Sequence, residues 1–328
     1  MQMKNSAKIL SMTTSKATRA GFGDGLLDIA AKYPKIVTID ADLRHSVQTM
    51  GFAKKYPKRA FQVGIAEQNM IGVAAGLATA GYIPFAATFA VFATGLCYNQ
   101  IRQSVCYSEK NVKIVGTHAG ILTGEDGATH QALEDIALMR GLPNMRVYCP
   151  ADYNEARAMM PLIAVEDAPC YLRLGRQTVT GIYDEKYKPK LGKMDILHPS
   201  TGSGGAKYAI FATGTEVSFA LAAAEIVKEK TGKRLTVINV STLKPFDTKT
   251  TLAVAKGCAR VFTAEDHSII GGLGSCVAET LAEAGLGVPL TRLGMQDCFG
   301  ESGTSNDLLK KYQLDTAGLA KQIIKAIK

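Results

Sequence analysis

The polar residues best suited to chemistry lie in a glycine-rich segment, residues 116–135, which reads GTHAGILTGEDGATHQALED. Its glycines let the backbone turn sharply, which exposes His118, Asp126 and His130 on loops after a predicted strand. In open α/β sheets, loops at the carboxyl ends of strands form the ligand crevice. Two histidines and an acid could hydrogen-bond a polyhydroxyl compound or relay protons. The alternative is a loop whose polar side chains satisfy its own backbone.

Other residues could join such a site. No charged residue follows Glu67 until Arg102. Its carboxylate therefore either caps a helix or is kept for chemistry. Desolvation there would favour a proton-sharing hydrogen bond. Arg176 follows a predicted strand and could receive a phosphate, although an exposed arginine is more often a solvated charge. Phe89 and Phe92 are either core residues or the walls of a site for a flat heterocycle.

Metal and nucleotide motifs are missing from the sequence. Gly23-Asp24-Gly25 has the form of a metal–diphosphate motif, but it leads into a helical pattern, and no asparagine occurs between Asn5 and Asn69. The five histidines lack paired spacing for zinc. No Walker loop, G-x-S-x-G elbow or strand-linked G-x-G-x-x-G is present. We therefore predict no metal ligands on this chain.

Composition points to a cored enzyme of two domains. The chain has 328 residues, of which 47% are hydrophobic and 20% charged. Its net charge of +9 is scattered, which favours anionic small substrates over nucleic acid. The seven cysteines have neither metal-knuckle nor redox-motif spacing, so we expect reduced thiols and a cytoplasmic protein. Glycines and a proline interrupt the charge-free stretch 68–101, which predicts a helix, a buried strand and a second helix rather than a membrane span.

Short apolar runs alternate with helix-length segments, which predicts parallel sheets covered on both faces. The predicted strands are residues 36–39, 112–115, 146–149, 171–174, 208–212, 235–240, 260–263 and 289–293. The alternation lapses at residues 181–204, which are rich in lysine, proline, serine and glycine. The sequence thus predicts two three-layer α/β/α domains, at 14–180 and 205–328, joined by a linker.

Taken together, these segments resemble the transketolase family, specifically its C-terminal half. The resemblance runs almost without a break from residue 17 to the C-terminus. It is carried by GIAEQNMIGVAAGLA, GEDGATHQALED, FATGTEVSFAL and EDHSIIGGLGSCVAE. The Glu-Asp-Gly-x-Thr-His-Gln and Ala-Glu-Gln-Asn strings are highly specific in combination. The resemblance implies a pyrimidine-binding domain followed by the family's C-terminal domain, with thiamine diphosphate as the cofactor.

The resemblance also implies roles for particular residues. Glu67 is implied to hydrogen-bond a pyrimidine nitrogen of thiamine diphosphate, promoting the imino form that deprotonates the thiazolium carbon. Phe89 corresponds to the aromatic residue that stacks on the pyrimidine, Phe92 to the next wall residue, and Asp42 to an acid near the thiazolium. Gly95 departs from the aromatic residue that full-length relatives often have there.

For the sugar end, the resemblance implies contacts from His118 and Asp126 to hydroxyl groups near the reacting carbons. The rest of the sugar-phosphate site would be formed by Arg19, Ser46, His130 and Arg176, with the two arginines on the phosphate. A bidentate arginine matches phosphate in geometry as well as in charge.

The family's N-terminal domain, which binds the diphosphate and its Mg²⁺, has no counterpart in this sequence. The resemblance therefore implies a separate N-terminal subunit that carries those ligands, and self-association into a larger complex. We expect phosphorylated sugars as substrates, and neither nucleic acid nor a membrane as a partner. The prediction is the C-terminal subunit of a split transketolase, which transfers a two-carbon ketol unit between sugar phosphates, as in the pentose phosphate pathway.

Alternative functions differ in testable ways. The C-terminal half of a 1-deoxyxylulose-5-phosphate synthase shares the Asp-Gly-x-Thr-His-Gln string, but that family usually has histidine where this chain has Asn69. The beta subunit of a 2-oxo acid dehydrogenase would lack the whole cluster. A non-catalytic partner that kept only the fold is disfavoured by intact Glu67, Asp126 and both loop histidines.

Overall fold

Two mainly parallel β-sheets organise the protein. The structure is a computed structural model that describes residues 15–198 and 207–328. The strands are β1 Ser15–Ala17, β2 Ile36–Asp40, β3 Ala60–Gln62, β4 Ile83–Phe89, β5 Lys113–Thr117, β6 Arg146–Tyr148, β7 Cys170–Arg173, β8 Thr178–Thr180, β9 Asp195–His198, β10 Tyr208–Ala212, β11 Leu235–Asn239, β12 Thr242–Lys244, β13 Arg260–Ser268 and β14 Leu290–Met295. All eight predicted strands are therefore confirmed, with ends that shift by a few residues.

The helices lie between these strands, as the alternating pattern predicts. They are α1 Thr18–Ala30, α2 Met50–Lys55, α3 Glu67–Thr79, α4 Tyr98–Gln100, α5 Asp135–Arg140, α6 Tyr153–Val165, α7 Glu216–Thr231, α8 Thr248–Ala255, α9 Leu273–Glu283, α10 Ser305–Lys311 and α11 Thr316–Ile327. Short 3₁₀ segments cover Pro57–Arg59 and Ile121–Asp126, and π-helical turns cover Phe92–Leu96 and Ile101–Tyr107.

The first sheet has seven strands in the order β12-β6-β7-β5-β4-β2-β3. Successive side chains of β4 point to opposite faces. Phe85 packs in the cluster formed with α1 and α6, where its ring lies 6.3 Å from that of Phe22. Ala86 belongs to the opposite cluster, which includes Met70 of α3. Both faces are thus covered, which explains why the strands read as continuous apolar runs.

The second sheet has five strands in the order β14-β13-β10-β11-β9. On β10, Ile210 faces the cluster that includes α7 and α11, and Phe211 faces the cluster that includes Leu273 of α9. This sheet is also covered on both faces, so the predicted fold class, two three-layer α/β/α domains, is confirmed.

Strands near the domain boundary cross between the sheets or extend them. β12 follows β11 in the chain, yet it pairs antiparallel with β6 at the edge of the first sheet. β9 lies inside the segment predicted as a linker and pairs antiparallel with β11. The boundaries 14–180, 181–204 and 205–328 stay a prediction, and residues 199–204 of that linker lie outside the described residues.

The glycines of α1 allow a close helix–helix contact. A Cβ at Gly21 would lie 2.3 Å from the carbonyl oxygen of Tyr153, and one at Gly25 would lie 2.6 Å from Cγ of Met160, both in α6. Asp24 accepts a 2.6 Å hydrogen bond from the Tyr153 hydroxyl. The Gly-Asp-Gly string therefore lies within α1, where it contributes to the contact with α6.

The charge-free stretch folds as predicted, into α3, β4 and the π-helical turns. Among the residues that the structure describes, no helix is long and apolar enough to cross a membrane.

A buried ion-pair network joins the two domains. Arg173 of β7 donates from Nε to Asp135 at 2.9 Å and from Nη1 to Asp266 of β13 at 2.6 Å. The three side chains are at most 4% exposed. The Tyr171 hydroxyl also donates to Asp135, at 2.6 Å. Removing the guanidinium would leave two buried carboxylates without their cation.

We therefore expect Arg173→Met to lower the free energy of unfolding by about 3–5 kcal/mol, since it breaks a buried pair from one side. The measurement is urea denaturation followed by circular dichroism. Arg157→Met is the matched control, because its ion pair with Asp28 is 40% and 48% exposed, and should cost less than about 1 kcal/mol. Equal losses for the two variants would show that the buried network stabilises the fold no more than an exposed ion pair does.

Candidate functional site

A cleft of about 380 Å³ lies at the carboxyl ends of the strands of the first sheet. Arg19 comes from α1, Phe89 ends β4 and His118 follows β5 directly. The cleft is lined by Arg19, His45, Ser46, Phe89, His118, Asp126, His130 and Arg176. All of these except His45 were predicted as site residues, and the fold brings them together from α1, from the end of β4 and from the segments that follow β2, β5 and β7. Parallel strands end at the same edge, so their loops converge.

His118 is buried and held in one protonation state. The Arg19 Nη1 atom lies 3.3 Å from His118 Nε2, and since a guanidinium can only donate, Nε2 must accept. The proton then sits on Nδ1, 2.9 Å from the Thr117 hydroxyl. Burial, together with the charges of Arg19 and Arg176, lowers the pKa of His118 to about 3. The imidazole is therefore neutral at physiological pH.

The glycine-rich loop owes its shape to left-handed backbone. His118 has φ 58°, and Gly120, Gly124 and Gly127 have φ between 74° and 81°. The Thr123 hydroxyl donates to the carbonyl oxygens of His118 and Gly120. Within the described chain, however, the side chains of His118, Asp126 and His130 bond to other side chains rather than to the loop backbone. Their polar atoms face the cleft instead of satisfying the turn.

Two guanidinium groups approach each other across the cleft. Arg19 donates to the carbonyl oxygen of Ser46 at 2.8 Å, and Arg176 donates to that of Thr123 at 2.8 Å. Burial and the nearby charge of Arg176 lower the pKa of Arg19. Arg176 lies 3.2 Å from Asp126 and 3.9 Å from Glu125, but these carboxylate side chains are 42% and 63% exposed. No ion pair of Arg19 with a carboxylate is found among the described residues. The positive charges are thus only partly compensated, and an anion between them would be stabilised.

An aromatic wall borders the cleft. The ring of Phe89 stacks on His118 with centroids 3.9 Å apart, and it lies parallel to Phe92 at 5.9 Å. The His130 ring meets Phe92 edge-on at 5.4 Å. Offset and edge-on ring contacts of this kind are favourable. They fix the planes of two aromatic faces next to the polar groups.

Glu67 lies outside the cleft lining, at the first position of α3. Its side chain is only 6% exposed, and it makes no hydrogen bond within 15–198 and 207–328. The helix start has no side-chain cap, which removes the capping interpretation. The next residue, Gln68, donates to the carbonyl oxygen of Leu96 at 3.1 Å, so α3 begins beside the turn that carries Phe92. Burial and the charge of Glu67 raise the pKa of Cys97 to about 12.

Besides Glu67 and Phe92, a third predicted residue lies outside the cleft lining, and one residue that was not predicted lies in it. Asp42 is exposed, takes a left-handed φ of 63° and accepts a 2.6 Å hydrogen bond from Gln62. It is not part of the lining. His45 is part of the lining, and the Gln48 side chain donates to its carbonyl oxygen at 2.9 Å. Its position next to Ser46 was the one sequence signal that could have found it.

The side chains that could bind a metal do not converge. Within the part of the chain that the structure describes, no group of three His, Cys, Asp or Glu side chains could hold an ion. The cysteines among these residues are free thiols.

Comparisons with known proteins identify both domains. Residues 14–181 match the model of the transketolase pyrimidine-binding domain, and residues 201–319 match that of the transketolase C-terminal domain. Together these matches cover most of the chain.

Relatives of similar length share this arrangement. A Methanocaldococcus jannaschii protein named as a transketolase C-terminal section is 46% identical over 95% of this chain and 97% of its own. A 6-deoxy-6-sulfo-D-fructose transketolase subunit of a Clostridium species is 43% identical over 94% of this chain and 92% of its own. A solved split-gene transketolase, described as an inactive beta4 tetramer, is 44% identical with a TM-score of 0.85, over 94% of this chain and 98% of that one.

Proposed function

The chain belongs to the transketolase family, and we propose that it is the C-terminal subunit of an enzyme divided between two chains. With a separate N-terminal subunit it would transfer a two-carbon ketol unit between sugar phosphates. The observation that carries the proposal is the cleft itself. It places two incompletely compensated arginines, Arg19 and Arg176, next to the neutral imidazole of His118.

Thiamine diphosphate is the cofactor that the family implies, and the residues present fit its pyrimidine. Glu67 offers a side chain that is only 6% exposed, without a hydrogen-bond partner among the described residues, at the start of α3. Gln68 links this helix start to the turn that carries Phe92, whose ring lies parallel to that of Phe89. When bound, the cofactor supplies a thiazolium carbon that accepts the ketol unit. Glu67 would hold a ring nitrogen and exchange a proton with it, and Phe89 would hold the ring plane. Asp42 is proposed only as a more distant acid near the thiazolium.

At the other end of the cleft, this chain would bind the sugar phosphate. Arg19 and Arg176 would bind the phosphate, because an anion between them relieves their mutual repulsion. Ser46 and His130 complete this end, and the neighbouring imidazole of His45 adds a further nitrogen donor.

His118 and Asp126 would orient the sugar hydroxyls. A neutral imidazole can donate or accept a hydrogen bond, a carboxylate accepts one, and neither group adds positive charge near the reacting carbons.

The surface around Glu67 supports a partner subunit. Ile65 is 83% exposed and Leu96 is 51% exposed, and they flank the start of α3. A Cβ at Gly72 or Gly76 of the same helix would meet nothing within 4 Å. Exposed apolar side chains around a buried carboxylate fit a surface that another chain covers. The proposal places the diphosphate and Mg²⁺ ligands on that N-terminal subunit.

Reconstitution tests this proposal directly. The purified chain with thiamine diphosphate and magnesium should show no ketol transfer from a ketopentose phosphate, because the diphosphate ligands are on the partner. Adding an N-terminal subunit of a split transketolase should restore transfer, measured by a coupled spectrophotometric assay. Robust turnover by the chain alone would contradict the division of the site between two subunits.

Glu67→Gln should be the most damaging near-isosteric change. The amide keeps the shape of the side chain but cannot exchange a proton with the pyrimidine, so deuterium exchange at the thiazolium carbon should slow by about 10²–10⁴-fold in the reconstituted complex. Affinity for thiamine diphosphate should fall far less. Glu229→Gln, on the exposed side of α7, is the control. Exchange at the wild-type rate in Glu67→Gln would remove this residue from the catalytic site.

Arg19→Ala and Arg176→Ala should weaken the use of phosphorylated donors much more than of unphosphorylated ones. Each charge-assisted contact contributes roughly 1.5–3 kcal/mol, which is about ten- to hundredfold in kcat/KM. Arg102→Ala, at an exposed position, is the control. Equal losses for both donor types would make the arginines structural.

Because one 43% identical relative is named for a sulfonated sugar, a 6-sulfo ketose in the same series distinguishes sulfonate from phosphate as the preferred anion.

A further inference from the structure

The glycine-rich loop that carries three of the cleft residues rests on the C-terminal domain. The loop's 3₁₀ segment, Ile121–Asp126, packs against α10 of that domain. The Ser305 hydroxyl donates to the carbonyl oxygen of Leu122 at 3.3 Å. A Cβ at Gly127 would lie 2.3 Å from the Ser302 hydroxyl, so the two backbones approach closely there. The loop is thus shaped from outside its own domain.

Gln131 is the side chain that ties the loop together. It is 3% exposed, and its amide nitrogen lies 3.0 Å from the carbonyl oxygen of Glu301 in the C-terminal domain. The same nitrogen lies 3.4 Å from the carbonyl oxygens of Ile121 and Gly124. One amide therefore contacts the start and the middle of the turn before Asp126, as well as the opposite domain.

Gly300, which precedes the residue that accepts from this amide, packs tightly against the Gln131 side chain. A Cβ at Gly300 would lie 1.9 Å from Oε1 of Gln131. Gly300 is not in the left-handed region, so an alanine there is compatible with the backbone and clashes only with the glutamine. This single contact gives a way to disturb the loop from the other domain.

We propose that residues 300–305 of the C-terminal domain act as a template for the sugar-binding loop, with Gln131 as the positioning residue. Asp126, which is 42% exposed and contacts Arg176, takes its place from the backbone that Gln131 holds. His130 is the neighbour of Gln131 in the chain. The inference rests on the proposed function of the cleft, and it gives the C-terminal domain a role in sugar binding.

A double-mutant cycle in the reconstituted complex tests the template. Gly300→Ala should displace Gln131 and raise the KM for a ketopentose phosphate by about tenfold to hundredfold, because small misplacements of binding groups are costly. It should change kcat much less. Gln131→Ala should have a similar effect. In the Gln131→Ala background, Gly300→Ala should cost nothing further, because the clash is gone. Gly287→Ala, in open space on the same domain, should behave as wild type.

The outcomes separate this inference from the function on which it rests. Wild-type KM values in both single variants, with only a lower melting temperature, would overturn the positioning role. If the wild-type complex shows no ketol transfer, the proposed function fails, and amide hydrogen exchange of residues 121–131 in the chain itself then tests the template. Faster exchange in Gly300→Ala and in Gln131→Ala, with no further increase in the double variant, supports the template, and unchanged exchange overturns it.

Discussion

A guanidinium buried between two carboxylates fixes the relation of the two domains. Arg173 ends β7 in the first sheet, and its partners begin α5 and lie on β13 of the second sheet. Leaving this pair half-made would cost several kcal/mol, so the domains do not slide past each other at this point. The glycine-rich loop runs between β5 and α5, and its far end is therefore held by the same pair. The geometry of the cleft depends on that constraint.

The cleft is organised before any ligand binds. Arg19 holds the loop after β2 through the carbonyl oxygen of Ser46 and sets the protonation of His118. Arg176 holds the turn at Thr123. Because backbone carbonyl oxygens already orient these two guanidinium groups, they need to move little when an anion binds. The two partly compensated guanidinium groups are thus each held in place by a backbone carbonyl oxygen.

The sequence predicts the buried parts of the fold better than its edges. Strands such as β10 are buried on both faces, so an apolar run marks them. β9 and β12 are short edge strands that no local pattern marks, and β12 pairs with a strand of the other domain. Most of the cleft follows from family motifs, but Glu67 could not be distinguished from a helix cap by its residue type. His45 was missed because a single exposed histidine carries no spacing signal.

The pairing of β12 with β6 ties the first sheet to the second half of the chain. β12 belongs to the second half of the chain, yet it covers the edge of β6. A gene broken between the domains would yield a first fragment with the backbone N–H and C=O groups of Arg146–Tyr148 open to other chains, and exposed edges of this kind promote aggregation. The first domain therefore depends on the second half of the chain for a covered sheet edge.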